Sequence, residues 1–344
     1  MVRRTFRGRE QQLPGEPAPL DEPATIGGQQ PLPAEQPPGA EGARAPRPGV
    51  RSATEARSRS PLPRSPLPRD AASLPPLPSA FHGVLDAALD ELGLSLAPAV
   101  RGALEVHARL LLAWNRQINL TALRAPEQVA LKHIADSLAA VAPLRPLLET
   151  APSGTDRGRH LEPGEVLDLG SGAGYPGLPL GLALPAGRLA LVDSVAKKAH
   201  FLEVAGRAAI EAMAAQGEPA PRLEIHPLRA EDLAHDPAHR ERWAAVVARA
   251  VSALPELAEL MLPLVRIGGV AVAWKRDDGR GALERELEAA VRLLPGLGGS
   301  AALDVLPVPV QGLEDHRLVL IRKTSGTPER FPRPPAERRR RLLP

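Results

Sequence analysis

From residue 81 onward the apolar positions fall into regular patterns. Phe81, Val84, Leu85, Ala88, Leu89 and Leu92 share one helical face, and Gly93 stands where a C-cap glycine is expected. A second helix is predicted over 98–116, with Val100, Leu104, Leu111 and Trp114 on its buried face, and a third from 126 to about 141. Together these make a small helical module over 80–150, followed by a polar loop at 151–163. Beyond it the period switches. Short apolar runs predict strands at 165–169, 188–192, 222–226, 244–249, 269–274, about 304–310 and 317–322. Helical patterns lie between most of them, near 178–184, 195–215, 255–265 and 281–294. Such alternation argues for an α/β domain with a mostly parallel sheet covered on both faces. The last two strands have no helix between them, which suggests an antiparallel hairpin at the sheet edge.

Composition changes the picture at the ends. Residues 1–79 hold seventeen of the forty prolines and no lysine, and Ser60-Pro-Leu-Pro-Arg64 repeats at once as Ser65-Pro-Leu-Pro-Arg69. Such a segment buries too little apolar surface to offset chain entropy, so a disordered extension with local polyproline II is expected. The expected domains are thus 1–79, the helical module 80–150, the sheet domain 151–325 and a basic tail 326–344. That tail carries six arginines between Arg330 and Arg341 against the single Glu337, in a chain of net charge only +3. A basic tail of this kind contacts phosphates without reading bases.

Cysteine is absent, which excludes disulfides, thiolate-held metals and any cysteine nucleophile. The covalent route to C5 of a pyrimidine goes with it. No apolar run reaches the length of a transmembrane helix, and Arg3-Arg4 precedes no hydrophobic segment, so a cytoplasmic protein is expected.

The densest chemical signal is Val166-Leu-Asp-Leu-Gly-Ser-Gly-Ala-Gly-Tyr-Pro-Gly177. It reads as a buried strand ending in a turn, with glycines at 170, 172 and 174 so that a ligand can approach the backbone. Asp193 follows Gly174 by nineteen residues at the end of a second apolar run, where a nucleotide-binding unit places its ribose acceptor. Gly172, Gly174 and Gly177 also fit the dinucleotide fingerprint. Asp168, two residues before the first glycine, would repel a pyrophosphate and attract a sulfonium or an amine. Pro176 interrupts the helix start that would cradle a diphosphate. S-adenosylmethionine, cationic and without phosphate, suits the turn better.

The turn after the third strand gives Ala230 and Glu231, and the fourth strand ends in Arg249. No Asn/Asp-Pro-Pro-aromatic segment follows Arg249 to grip an exocyclic amine. A ring nitrogen with a free lone pair needs alignment and charge placement instead of a base. Lys132, His133 and Asp136 share a helical face, but no serine or cysteine stands ready for a His–Asp pair to activate. Lys197, Lys198, Lys275 and Arg276 flank the same end of the sheet. Aromatics make up 2% of the chain, which leaves Tyr175 as the best stacking residue, while Trp114 and Trp243 read as core.

Asn119-Leu-Thr121, Lys132-His-Ile-Ala-Asp-Ser137, the 166–179 segment, Leu191-Val-Asp-Ser194 with Lys197-Lys198, and Ala248-Arg-Ala250 occur in that order. Over about residues 80–325 the chain closely resembles the RsmG family, also called GidB (glucose-inhibited division protein B). The resemblance implies a class I, Rossmann-like fold ending in an antiparallel hairpin. It also implies methyl transfer from S-adenosylmethionine to N7 of a guanosine in bacterial 16S ribosomal RNA. The cofactor contacts expected are Asp168, Gly170, Gly172, Gly174, Tyr175, Asp193, Ala230, Glu231 and Arg249, with Ala230 and Glu231 at the adenine end. Arg249 is the expected catalytic residue. Expected RNA contacts are Lys132, His133, Lys197, Lys198, Lys275, Arg339 and Arg340, in a monomer acting on the small ribosomal subunit without a metal. The alternatives are a class I methyltransferase acting on a protein or small molecule, and a non-catalytic assembly protein. Thr327-Pro-Glu-Arg-Phe-Pro-Arg333 resembles family C-termini, whereas Ala336-Glu-Arg-Arg-Arg340 replaces their Gly-x-Pro-x-Lys pattern.

Overall fold

The computed structural model describes residues 4–7, 66–149, 155–156, 159–160 and 164–340. These belong to one compact unit. In chain order it begins with β1 (Arg4–Arg7), then α1 (Ser79–Leu92), α2 (Pro98–Trp114) and α3 (Pro126–Val129). A π-helical stretch, Ala130–Ala135, joins α3 to α4 (Asp136–Leu138), and α5 (Val141–Glu149) follows. The expected third helix therefore contains a widened turn, and a further helix succeeds it. Two short strands, β2 (Thr155–Asp156) and β3 (Arg159–His160), pair antiparallel within the expected loop.

The sheet domain runs β4 (Glu165–Leu169), α6 (Gly177–Ala183), β5 (Arg188–Val192), α7 (Ala196–Ala214), β6 (Arg222–His226) and α8 (Ala230–His235). It continues through β7 (Trp243–Arg249), α9 (Leu254–Met261), β8 (Val265–Arg276), α10 (Ala282–Leu293), β9 (Ala302–Pro307), β10 (His316–Arg322) and α11 (Pro335–Arg340). Strand order is β1-β9-β10-β8-β7-β4-β5-β6. The strands from β8 to β6 are parallel, while β10 runs antiparallel between β8 and β9. The order reverses between β4 and β7, which opens a crevice at the carboxyl ends of these strands.

Alternate strand residues feed two cores, as a sheet covered on both faces requires. Val166, Leu189, Leu191, Val247, Val272 and Leu320 face the helical module with α6 and α7. Leu167, Ala190, Val192, Val246, Ala271 and Ile321 face α8, α9 and α10. The helical module shares the first core rather than forming one of its own, with Trp114 edge-on to Phe201 of α7 at 5.3 Å.

Two expectations are corrected. The β9–β10 hairpin is not the sheet edge, because β1 pairs antiparallel with β9 and Thr5 Oγ1 donates to Asp304 Oδ1 at 3.0 Å. The expected disordered extension is also too long at both ends. Arg4–Arg7 is a strand, and residues 66–78 lie against α2, where Ala71 is buried and Trp114 Nε1 donates to Pro68 O at 2.7 Å. Backbone hydrogen bonds gained at an existing edge order even a short polar segment. Residues 8–65, with the first Ser-Pro-Leu-Pro-Arg and the Ser65 that opens its repeat, lie outside the described residues.

Candidate active site

The turn after β4 needs its glycines. Gly170, Gly172 and Gly174 have φ of 75°, 58° and 91°, a region that a Cβ disfavours. The amides of Gly170 and Ser171 both donate to Val192 O at 2.9 Å, and Ser171 Oγ accepts from Val192 N at 3.0 Å. The turn is thus fastened to the end of β5.

Asp168 lies beneath this turn instead of facing the crevice. Its Oδ2 accepts from Gly177 N at 3.0 Å, and its Oδ1 is buried without a partner among the described residues. Burial pushes its carboxyl up to about 7, against the opposing effect of the Gly177 and Ser171 hydrogen bonds. Asp193 is the carboxylate that lines the cavity, although little of it is exposed. Its Oδ2 accepts from Gly172 N at 3.0 Å, its Oδ1 accepts from Val195 N at 2.9 Å, and Lys198 Nζ lies 3.6 Å away.

A cavity of about 500 Å³ opens at the carboxyl ends of the parallel strands. Of the expected cofactor residues, Gly170, Asp193, Ala230 and Glu231 line it, and Asp168, Gly172, Gly174, Tyr175 and Arg249 are not part of that lining. Val195, Leu228 and Val251 expose apolar side chains in its wall. The loop after β7 adds Ala250, Val251 and Ser252. Ala250 holds φ of 58° although it is not glycine, a strained backbone of the kind found at functional turns.

Tyr175 does not offer a stacking face. It lies between the rings of His107 and His133, at centroid distances of 4.6 and 4.4 Å, and is buried. His107 Nε2 donates to Ala173 O at 2.8 Å, which places its single proton there, and burial lowers its pKa to about 4. His133, expected to meet RNA, is half-buried and takes its partners from within the fold. It accepts from Arg249 through Nδ1 at 3.0 Å and donates from Nε2 to Thr121 Oγ1 at 2.8 Å. Burial, and then the charge of Arg249, lower it to about 3. Arg249 also donates to Asp136 Oδ2 at 2.9 Å and to Lys132 O at 3.1 Å. Asp136 is fully buried and takes a second partner, His316 Nδ1, on Oδ1 at 2.8 Å.

The remaining basic residues separate. Lys197 is exposed and Lys132 is half-buried, whereas Lys198 is drawn to Asp193. Lys275 is withdrawn from any RNA face: it pairs with Glu286 at 2.6 Å and donates to Ser252 O at 2.8 Å. Arg339 and Arg340 belong to α11, but their side chains lie outside the described residues. Sequence reasoning missed His107, His316, Ser252, Glu256 and Arg338, all of which meet the site only through tertiary folding. The tail in particular carries no local sign that Pro335 and Arg338 reach the cavity wall. Among the described residues no helix is long and apolar enough to cross a membrane.

The lining fits S-adenosylmethionine: carboxylates for a cationic ligand with ribose hydroxyls, a backbone turn for close approach, and apolar walls for a base. A sheet of this order, with an acid and glycine turn after one central strand and a carboxylate ending the next, defines a class I S-adenosylmethionine-dependent methyltransferase. A family model described as GidB, rRNA small subunit methyltransferase G, matches residues 101–292. The ribosomal RNA small subunit methyltransferase G of Dehalococcoides mccartyi is 36% identical over 247 residues, covering 71% of this chain and 92% of that protein. Its counterpart in Deinococcus radiodurans is 40% identical over 249 residues, covering 71% and 85%. The chain belongs to this family.

Proposed function

We propose that this chain methylates N7 of a guanosine in 16S ribosomal RNA, acting as a monomer on the small ribosomal subunit. The observation that carries the reading is the cavity wall, where Gly170, Asp193, Ala230 and Glu231 converge at the sheet's switch point in a chain of this family. S-adenosylmethionine supplies an activated methyl group when bound. Guanine N7 has an in-plane lone pair and no proton. Its bond to the methyl carbon forms as the carbon–sulfur bond breaks, with the electron pair staying on sulfur. No base is needed, so the protein's work is alignment and exclusion of water.

Asp193 and Glu231 are the acceptors for ribose hydroxyls and base, and the Gly170 turn admits the rest of the cofactor. Arg249, held by Asp136, would fix the strained loop that lines the cavity, and Lys275 would fix the same loop from the other side through Ser252 O. Arg249 is thus proposed to act on the cofactor end of the reaction by placing Ala250, Val251 and Ser252. Lys132 and Lys197, with Arg339 and Arg340 of the tail, are proposed phosphate contacts.

The test is transfer of labelled methyl from S-adenosylmethionine to 30S particles, free 16S rRNA or protein extract, followed by nucleoside mass analysis. Label appearing as 7-methylguanosine in the RNA is expected. Label in protein alone would overturn the reading.

A further inference from the structure

The segment after β10 is fastened to the α8–β7 connection and to α9 by a succession of specific contacts. Thr327 N donates to Glu241 Oε1 at 2.6 Å, and Arg240 donates to the carbonyls of Thr327, Pro328 and Phe331 at 2.9, 3.0 and 2.9 Å. Arg333 then pairs with Glu259 at 2.7 Å, both groups being buried. This path delivers α11 to the open side of the cavity, where Pro335 and Arg338 complete the wall. The Arg338 side chain is only 4% exposed. It donates to Arg333 O at 2.6 Å, pairs with Glu231 of α8, and reaches Glu256 of α9 at 3.4 Å. One guanidinium therefore bridges two carboxylates that stand on different helices of the same cavity.

The order of the strands says which part of the ligand this end receives. The β4 turn and Asp193 after β5 account for the reacting and ribose portions, so Ala230 and Glu231 after β6, one strand further out, meet the base. Burial alone would raise the Glu231 carboxyl, but the hydrogen bond and charge of Arg338, together with a backbone hydrogen bond and the charge of Arg229, outweigh it and hold the group below its ordinary value. A guanidinium suits this bridging, because its planar fork fixes the direction of each carboxylate as well as its charge.

We propose that Arg338 is a positioning residue for the adenine end of the cofactor, and that the C-terminal segment is a built wall of the pocket as well as a basic tail. It acts by orienting Glu231 and by keeping Glu231 and Glu256 from repelling one another across the cavity. The inference rests on reading this cavity as the S-adenosylmethionine site.

The experiment compares wild type, Arg338→Ala and Arg338→Lys in the full chain. It measures S-adenosylmethionine and adenosine affinity by calorimetry, melting temperature without ligand, and methylation kinetics on 30S particles. In Arg338→Ala, Kd and KM for S-adenosylmethionine should rise about tenfold, as should Kd for adenosine, with kcat within twofold of wild type. Lysine should restore part of the loss. A purely structural role would lower the melting temperature and leave KM unchanged, and a Kd within twofold of wild type would overturn the proposal. If the alanine variant does not fold, Arg338→Lys carries the test, since it keeps the charge and loses the fork: a rise in Kd of about threefold supports the proposal and an unchanged Kd overturns it. Failure of the wild type to bind S-adenosylmethionine would instead bring down the cofactor reading and this inference with it.

Discussion

Arg249, at the end of β7, and Asp136, at the end of the π-helical stretch, are joined at 2.9 Å across 113 residues of sequence. The bond links the sheet to the helical module, and His316 on the other oxygen of Asp136 brings in β10. Three separate parts of the chain thus meet on one buried carboxylate.

Removing that carboxylate should cost both fold and activity. Asp136→Ala leaves Arg249 without its counter-charge in a largely buried position, a loss of about 3–5 kcal/mol in denaturant unfolding. Arg249→Ala, which keeps the Asp136–His316 contact, should remain folded and methylate on the order of a hundredfold more slowly, because the Ala250–Ser252 loop loses its anchor. A folded Arg249→Ala protein working at near wild-type rate would place the reaction elsewhere.

Asp193→Ala should weaken S-adenosylmethionine binding by about 1.5–3 kcal/mol, the usual cost of losing a charge-assisted acceptor. Since its oxygens also hold the amides of Gly172 and Val195, Asp193→Asn is the companion variant that keeps the shape of the turn and alters its charge. Calorimetry giving wild-type affinity for the alanine variant would remove Asp193 from the site.

Acid should destabilise the fold through two histidines, with one aspartate opposing them. His107 and His133 fall from 6.5 in the unfolded chain to about 4 and about 3 in the fold, so below pH 6.5 the unfolded state takes up two protons that the fold refuses. Asp168 rises from 3.8 to about 7, so between those values the fold holds one proton that the unfolded chain lacks. From pH 6.5 down to 4 the balance among these three groups is one proton, and stability should fall by about 1.4 kcal/mol per pH unit. In Asp168→Asn the opposing group is gone, and the slope should steepen to about 2.7 kcal/mol per unit. Urea titrations at a series of pH values would read both slopes; equal slopes would mean that Asp168 is already ionised in the fold.

Truncation at the N-terminal side should show a boundary near residue 66. Removing 1–78 instead of 1–65 deprives the buried Trp114 Nε1 of Pro68 O, and deprives Arg109 Nε of Pro75 O. The longer deletion should be about 1–3 kcal/mol less stable than the shorter one, the cost of leaving such donors unmet. Coincident unfolding midpoints would mean that the contacts of 66–78 contribute nothing.

The parallel strands were legible because each is a short apolar run closed by turn residues, a pattern set by burial on two faces. Asp193 was legible for a related reason: its offset from the glycine turn is fixed by the length of one αβ unit. Tyr175 was misread as a stacking face because exposure at the crevice depends on where the helical module docks, which no local pattern records. Lys275 was misread because Glu286 lies a helix away. The strand Arg4–Arg7 escaped notice because four mostly polar residues become a strand only when an edge is there to receive them. Arg338 looked like its neighbours in a basic run, and only the fastening of Thr327 and Arg333 assigns it to the cavity wall.

The placing of Pro335 and Arg338 in the cavity wall also bears on when the protein becomes competent. As the chain is synthesised, the glycine turn, Asp193 and Glu231 are all made well before α11. A nascent chain can complete its central sheet while the cavity still lacks a side. Closure waits until the strap has been released and drawn across α8 and α9. A proteolytic cut between β10 and α11 would recreate that unfinished state in a mature molecule, leaving the sheet whole and the pocket open.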